Sequence, residues 1–146
     1  MMKICEMKPE QVKEYACLFR DVFNGEPWWD HWTLESAEKR LRQFMGTGQF
    51  LGYAMEKENR VVGLICGQRE EYYDGPRFCI QEFCVDSRNQ GRGWGKELLE
   101  YLSQALKQEG ITYLYLMTQR GERTQGYYQR RGFQTDEELI LMHKKG

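Results

Sequence analysis

The segment Gln90-Gly91-Arg92-Gly93-Trp94-Gly95-Lys96 alternates glycine with larger residues between an apolar run and an amphipathic one. Glycine admits positive φ and lets a ligand come close to the backbone. The first turn of a helix adds unpaired N–H groups and a positive dipole end. A glycine turn that opens a helix is therefore a cradle for a diphosphate. Two common phosphate loops are excluded by the residues present. A Walker A loop needs Ser or Thr after its lysine, and Lys96 is followed by Glu97. The dinucleotide pattern GxGxxG needs a third glycine where Lys96 stands.

Gln90, Gly93 and Gly95 fit the pattern Q/R-x-x-G-x-G/A. In this the chain resembles the GCN5-related N-acetyltransferases, the GNAT superfamily. The preceding Val85-Asp86-Ser87-Arg88-Asn89 is similar to that family's passage from strand to loop. Further on, Tyr127-Tyr128-Gln129-Arg130-Arg131-Gly132-Phe133 resembles its second signature, a tyrosine followed by a charged pair and Gly-Phe. The resemblance spans roughly residues 50 to 135, and the first 45 residues match only in helix pattern.

The resemblance implies acetyl-CoA as cosubstrate, no metal, and transfer of the acetyl group to a primary amine. It assigns the pyrophosphate to backbone N–H groups of Gln90, Gly91, Arg92, Gly93, Trp94 and Gly95, with Arg92 and Lys96 as added charge. It also implies a splayed strand around Phe83, Cys84 and Val85, whose backbone pairs with the pantetheine arm and polarises the acetyl carbonyl. Backbone contacts leave the Cys84 thiol a buried structural group rather than a nucleophile. Tyr128 matches the family tyrosine near the coenzyme sulfur. A phenol of pKa about 10 is protonated at neutral pH and can donate to a leaving thiolate. Glu82 matches a strand carboxylate that acts as base, directly or through water, or as an anchor for the amine. The chain departs from the pattern at Gly121 and Thr124, where the family often has Asn and Ala against the coenzyme.

For the acceptor, Glu26, Trp28, Trp29, Asp30, Trp32 and Glu35 mix carboxylates with aromatic plates, and Tyr72, Tyr73 and Asp74 repeat that mixture. Such groups suit a cationic amine through ion pairs and cation–π contacts. The same loops are loosely similar to those of bacterial aminoglycoside 6'-N-acetyltransferases. The expected acceptor is a small polycationic amine such as an aminoglycoside or a polyamine. A protein or peptide amine, and a non-catalytic acyl-CoA-binding module, stay open as alternatives, and tryptophans that merely pin a loop onto the core are the structural one.

Composition narrows the field. The chain has 146 residues, suited to one domain over residues 1–146, with 40% hydrophobic and 14% aromatic residues. Lys plus Arg number 21 against 22 Asp plus Glu, a net charge of -1, without the basic excess of a nucleic-acid binder. Cys5, Cys17, Cys66, Cys79 and Cys84 form no CxxC pair, and His31 and His143 are the only histidines. A disulfide framework, a zinc site and an HExxH protease are all disfavoured. No apolar run approaches the roughly 20 residues of a membrane span, and Met1 to Glu6 carry no signal-like stretch. The expectation is a cytoplasmic chain with no membrane or nucleic-acid partner. Family members often dimerise, which leaves a homodimer open.

These residues need elements to position them. The patterns predict a strand over 2–7, a helix from Pro9 to Phe23, and a second helix capped by Thr33 with Glu35 and Ser36, running to Met45. A hairpin follows over 50–57 and 60–68 around Glu58-Asn59, then a strand over 78–85. Beyond the glycine turn come a helix over 94–108, a strand over 112–118, a short helix over 123–131 and a last strand over 139–143. The expected class is α+β, a single GNAT-like domain whose mixed, mostly antiparallel sheet is flanked by helices and has a splayed central strand pair.

Overall fold

The computed structural model describes every residue except Met1, Gln90 and the side chain of Asn89. The chain forms two compact units, the first running to Leu116 and the second comprising Met117–Gly146.

In the first unit, β1 (Met2–Glu6) leads through a 3-10 turn at Pro9–Gln11 into α1 (Val12–Phe23) and α2 (Leu34–Met45). Then come β2 (Phe50–Lys57), β3 (Arg60–Tyr72), β4 (Gly75–Val85), a 3-10 turn at Ser87–Asn89, α3 (Trp94–Gln108) and β5 (Leu114–Tyr115). Helix α1 forms because Val12, Tyr15, Ala16, Phe19 and Val22 recur at helical spacing, and all five are buried. Helix α2 starts at a reciprocal cap: the Ser36 N–H donates to Thr33 Oγ1 at 3.0 Å, and the Thr33 N–H donates to Ser36 Oγ at 2.9 Å. Its exterior is polar, and only Ala37 and Leu41 are buried. Helix α3 ends at Gly110 (φ 81°), where Ile111 N–H reaches back to the Leu106 carbonyl and Gly110 N–H to that of Lys107. That pair of bonds is a Schellman stop.

The sheet has the order β1-β2-β3-β4-β5, antiparallel as far as β4 and parallel between β4 and β5, which α3 connects. Glu58 and Asn59 both have positive φ, as a two-residue hairpin turn requires. The β3–β4 ladder shifts register between Cys66 and Gly67, which face Glu82 and Ile80, so Gln81 is the extra residue of a bulge. The bulge inverts the strand. Residues in register share a face, so Glu82 and Cys84 look the same way as Cys66 and Leu64, into the core beneath α1 and α2. Ile80 instead shares the face of Gly67. On that opposite face a Cβ at Gly63 would meet Leu98 of α3. Glycine is required at position 67, because a Cβ there would collide with the Cys79 carbonyl oxygen. Strands β4 and β5 pair only at Phe78↔Leu114 and Cys79↔Tyr115, after which β4 runs on to Val85.

In the second unit, α4 (Gln125–Arg130) is shorter than the pattern predicts. The strand expected over 112–118 contracts to β5. The one expected over 139–143 is absent: those residues lie in no strand, and Leu139, Ile140, Leu141 and Met142 are 72–80% exposed. An apolar run is a strand only where a neighbour accepts its ladder bonds, and composition alone does not supply the neighbour. Among the described residues no helix is long and apolar enough to cross a membrane.

Candidate active site

Strand β4 brings Glu82 into the first unit's interior, where it is 8% exposed. Its carboxylate Oε2 accepts from Arg40 Nε of α2 at 2.5 Å. The Arg40 guanidinium also lies over the Phe44 ring at 4.7 Å and over the Trp32 ring at 5.9 Å. Burial pushes the Glu82 carboxyl above the usual carboxylate range. The Arg40 charge and hydrogen bond oppose that rise, and the nearby Asp30 charge adds to it. The result is a buried carboxylate with raised proton affinity and one cationic partner. Burial likewise raises the thiols of Cys66, opposite Glu82 on β3, and Cys84, two residues along β4, so neither is a ready nucleophile.

The loop after α1 is tied down by its own backbone. Trp28 and Trp29 N–H both donate to Gly25 O, and Asp30 N–H donates to Phe23 O. The Asn24 side chain brackets Trp32, donating to its carbonyl and accepting from its N–H, both at 2.8 Å. Trp32 Nε1 then donates to Asp30 Oδ2 at 3.0 Å. The loop therefore delivers Asp30 and the Trp32 ring to Glu82 and Arg40. Trp28 packs on Phe23 and the core, while Trp29 is 60% exposed and Glu26 is exposed. Tyr72, Tyr73 and Asp74 lie elsewhere, at the β3–β4 turn. There Arg77 of the same chain stacks on Tyr72 at 3.6 Å and on Tyr113 at 4.5 Å, and pairs with Asp74 at 3.5 Å.

Past Val85, Asp86 fixes the start of the turn. It accepts from the Arg88 backbone N–H at 3.0 Å and from its guanidinium at 3.2 and 2.9 Å, which hold the carboxyl below its usual range. Gly91 (φ 86°) and Gly93 (φ 80°) take the left-handed conformation, and among the described residues nothing lies within 4 Å of where a Cβ would project. Gly93 is the N-cap of α3 and offers no side-chain cap, so the first N–H groups of α3 are left for another acceptor. Trp94 is buried at the helix start, with Lys57 and Arg92 over its ring at 5.4 and 6.0 Å. Lys96 is exposed, and Gln90 lies outside the described residues. Open space among the described residues, positive φ and a helix start without a side-chain cap fit a diphosphate. Phe83, Cys84 and Val85 follow the bulge, on the stretch of β4 beyond its pairing with β5.

Tyr128 belongs to the second unit and is half-buried on α4. The Phe133 N–H donates to the Tyr128 carbonyl at 3.0 Å and the Gly132 N–H to that of Gln129 at 3.2 Å. The Tyr128 and Phe133 rings meet edge-on at 5.5 Å. The Tyr-to-Gly-Phe signature is thus a Schellman stop with its hydrophobic contact, and it fixes the Tyr128 ring. Burial raises the Tyr127 phenol, against the Arg131 charge. Among the described residues no group of three His, Cys, Asp or Glu side chains is placed to hold a metal.

Sequence reasoning missed Arg40, which no motif contains and which reaches Glu82 only through the packing of α2 against the sheet. The partner of Tyr72 and Asp74 was within reach, since Arg77 follows Asp74 by three residues.

The profile of the Acetyltransferase (GNAT) family matches residues 11–133, and the chain belongs to that family. Acetyl-CoA-dependent N-acetylation is the family's general reaction. None of the curated proteins matches the chain in sequence. Among solved structures, a possible acetyltransferase from Clostridium difficile 630 is similar at 14% identity, with 99% of this chain and 98% of that one covered and a TM-score of 0.84. The aminoglycoside N-acetyltransferase AAC(6')-Iy, in complex with CoA, is similar at 15% identity, 100% and 96% coverage and a TM-score of 0.78. Glucosamine-6-phosphate N-acetyltransferase from Arabidopsis thaliana is similar at 20% identity, 99% and 98% coverage and a TM-score of 0.73.

Proposed function

We propose that the protein is a single-domain, acetyl-CoA-dependent N-acetyltransferase whose acceptor is a primary amine of a small polycationic molecule, such as an aminoglycoside or a polyamine. One observation carries the reading. Strand β4 holds a buried carboxylate at Glu82 and runs, beyond its pairing with β5, into an open glycine turn that starts α3. Family membership supplies the chemistry: bound acetyl-CoA provides the acetyl thioester.

The backbone N–H groups of Gly91 to Gly95, with Arg92 and Lys96, hold the pyrophosphate. Glu82 takes the proton of the acceptor ammonium, whose ordinary pKa of about 10.4 keeps it charged at neutral pH. The raised affinity of Glu82 for protons suits that task. Tyr128 supplies a proton to the departing sulfur. Asp30, Glu26 and the exposed Trp29 ring support the polycationic acceptor, as does the likeness to an aminoglycoside N-acetyltransferase. Tyr72 and Asp74 contribute less to this reading, because Arg77 already occupies them.

The test is an acceptor screen that follows free thiol release from acetyl-CoA, with aminoglycosides, polyamines, amino-sugar phosphates and peptides side by side. Thiol release with the first two classes is the expected result. Best turnover with a neutral or anionic amine overturns the acceptor class, and no release with any amine overturns the activity.

A further inference from the structure

Glu82 and the rings of Trp32 and Phe44 surround a place that a cation already fills. The cation is the chain's own Arg40, with Nε 2.5 Å from Glu82 and its guanidinium carbon 4.7 Å and 5.9 Å from the two ring centroids. A carboxylate and ring faces are the groups with which proteins bind organic cations. Arg40 is nonetheless loosely held. Its side chain is 41% exposed, and among the described residues only its Nε is hydrogen-bonded. Helix α2 is anchored by Ala37 and Leu41 and by its Thr33–Ser36 cap, none of which involves Arg40.

We propose that Arg40 is a built-in stand-in for the acceptor: an incoming organic ammonium displaces its guanidinium from Glu82, Trp32 and Phe44, so Arg40 sets which amines gain access to the carboxylate. The inference deepens the N-acetyltransferase reading and rests on it. A lone ammonium competes poorly with a tethered guanidinium. A polyamine with further charges on Asp30 and Glu26 competes well, so the exchange selects for multiple charge. The exchange also prepares the proton transfer. In that step an N–H bond of the ammonium breaks and an O–H bond forms on Glu82, leaving a neutral amine beside a neutral acid. With Arg40 in place the proton would have to move toward a carboxylate stabilised by the guanidinium. With Arg40 displaced, the charged or titratable groups around Glu82 are Asp30 from the loop and the thiols of Cys66 and Cys84. Asp30 favours the protonated acid, and burial keeps both thiols neutral.

The experiment titrates coenzyme-free protein with spermidine by calorimetry at pH 8, wild type against Arg40→Met. The variant is expected to bind about tenfold more tightly, the change for losing one partly exposed ion pair with its ring contacts. Equal or weaker binding by the variant, or no binding by either protein, overturns the proposal. Should Arg40→Met not melt cooperatively, Arg40→Gln is titrated with the same expectation. The gain is expected to be larger for spermidine than for a monoamine such as butylamine, a charge-dependent difference that a merely structural arginine would not produce. A separate acetyl-CoA titration keeps the two claims apart. Its failure sinks the acetyltransferase reading and leaves the cation result standing.

Discussion

Glu82 and Asp86 sit four residues apart around the end of β4, with 8% and 9% exposure, and each has one arginine partner. Their carboxyls nevertheless shift in opposite directions. Asp86 lies past the strand end and accepts from one backbone N–H and two guanidinium nitrogens of Arg88, so hydrogen bonding outweighs burial. Glu82 is enclosed on the helix-covered face and accepts from a single Nε, so burial outweighs its partner. Equal exposure thus hides two environments. A carboxylate saturated with donors braces the turn, whereas one left short of donors binds a proton more readily, as the role proposed for Glu82 requires.

The largest effect should separate the two directly. Glu82→Gln is expected to lower kcat by roughly 100- to 10,000-fold, the usual range for loss of a general base. Asp86→Asn should leave kcat within about threefold, since the brace touches no reacting atom. Equal losses in steady-state assays of the two variants would erase the distinction. Next in size is Tyr128→Phe, expected to lower kcat by roughly 10- to 1,000-fold with unchanged acetyl-CoA affinity. The same loss in Tyr127→Phe, with none in Tyr128→Phe, would pass the role to the neighbour.

A smaller effect probes the turn that Asp86 braces. Gly93→Val places a branched residue at φ 80°, and calorimetry should show acetyl-CoA binding about fivefold weaker or more. No described residue crowds that site, so the fold should survive, and unchanged affinity in a folded variant would contradict the cradle.

The smallest effect is on stability. The folded pKa of Asp86 lies below its unfolded value of about 3.9. Its contribution is therefore complete above that value and is lost as pH falls through the folded pKa. Asp86→Asn should lower Tm by a few degrees at pH 7 (roughly 2–5 °C), and the gap should close below about pH 4. A gap that persists in acid would mean the residue acts through packing rather than charge.

Much of this was legible in the sequence, for local reasons. The α3 boundaries followed from Gly93, the apolar stripe and Gly110, and the Thr33 cap from its neighbours, although Ser36 and not Glu35 closes it. What could not be read was long-range. The Arg40–Glu82 pair joins residues 42 apart, and the bulge that turns Glu82 toward α2 depends on a ladder that skips Gln81. Leu139 to Met142 failed for the same reason, since hydrophobicity marks a wish for burial but names no partner strand.

The most direct measurement of the central claim is the pH dependence of kcat/KM for the best acceptor, in wild type and in Glu82→Gln. With Glu82 as proton acceptor, the wild-type profile should fall on the acid side through a pKa above the ordinary carboxylate range, because burial raises it. That limb should vanish in Glu82→Gln along with most of the rate. A variant that keeps the same acid limb and near wild-type kcat/KM would contradict the account and place the proton acceptor elsewhere.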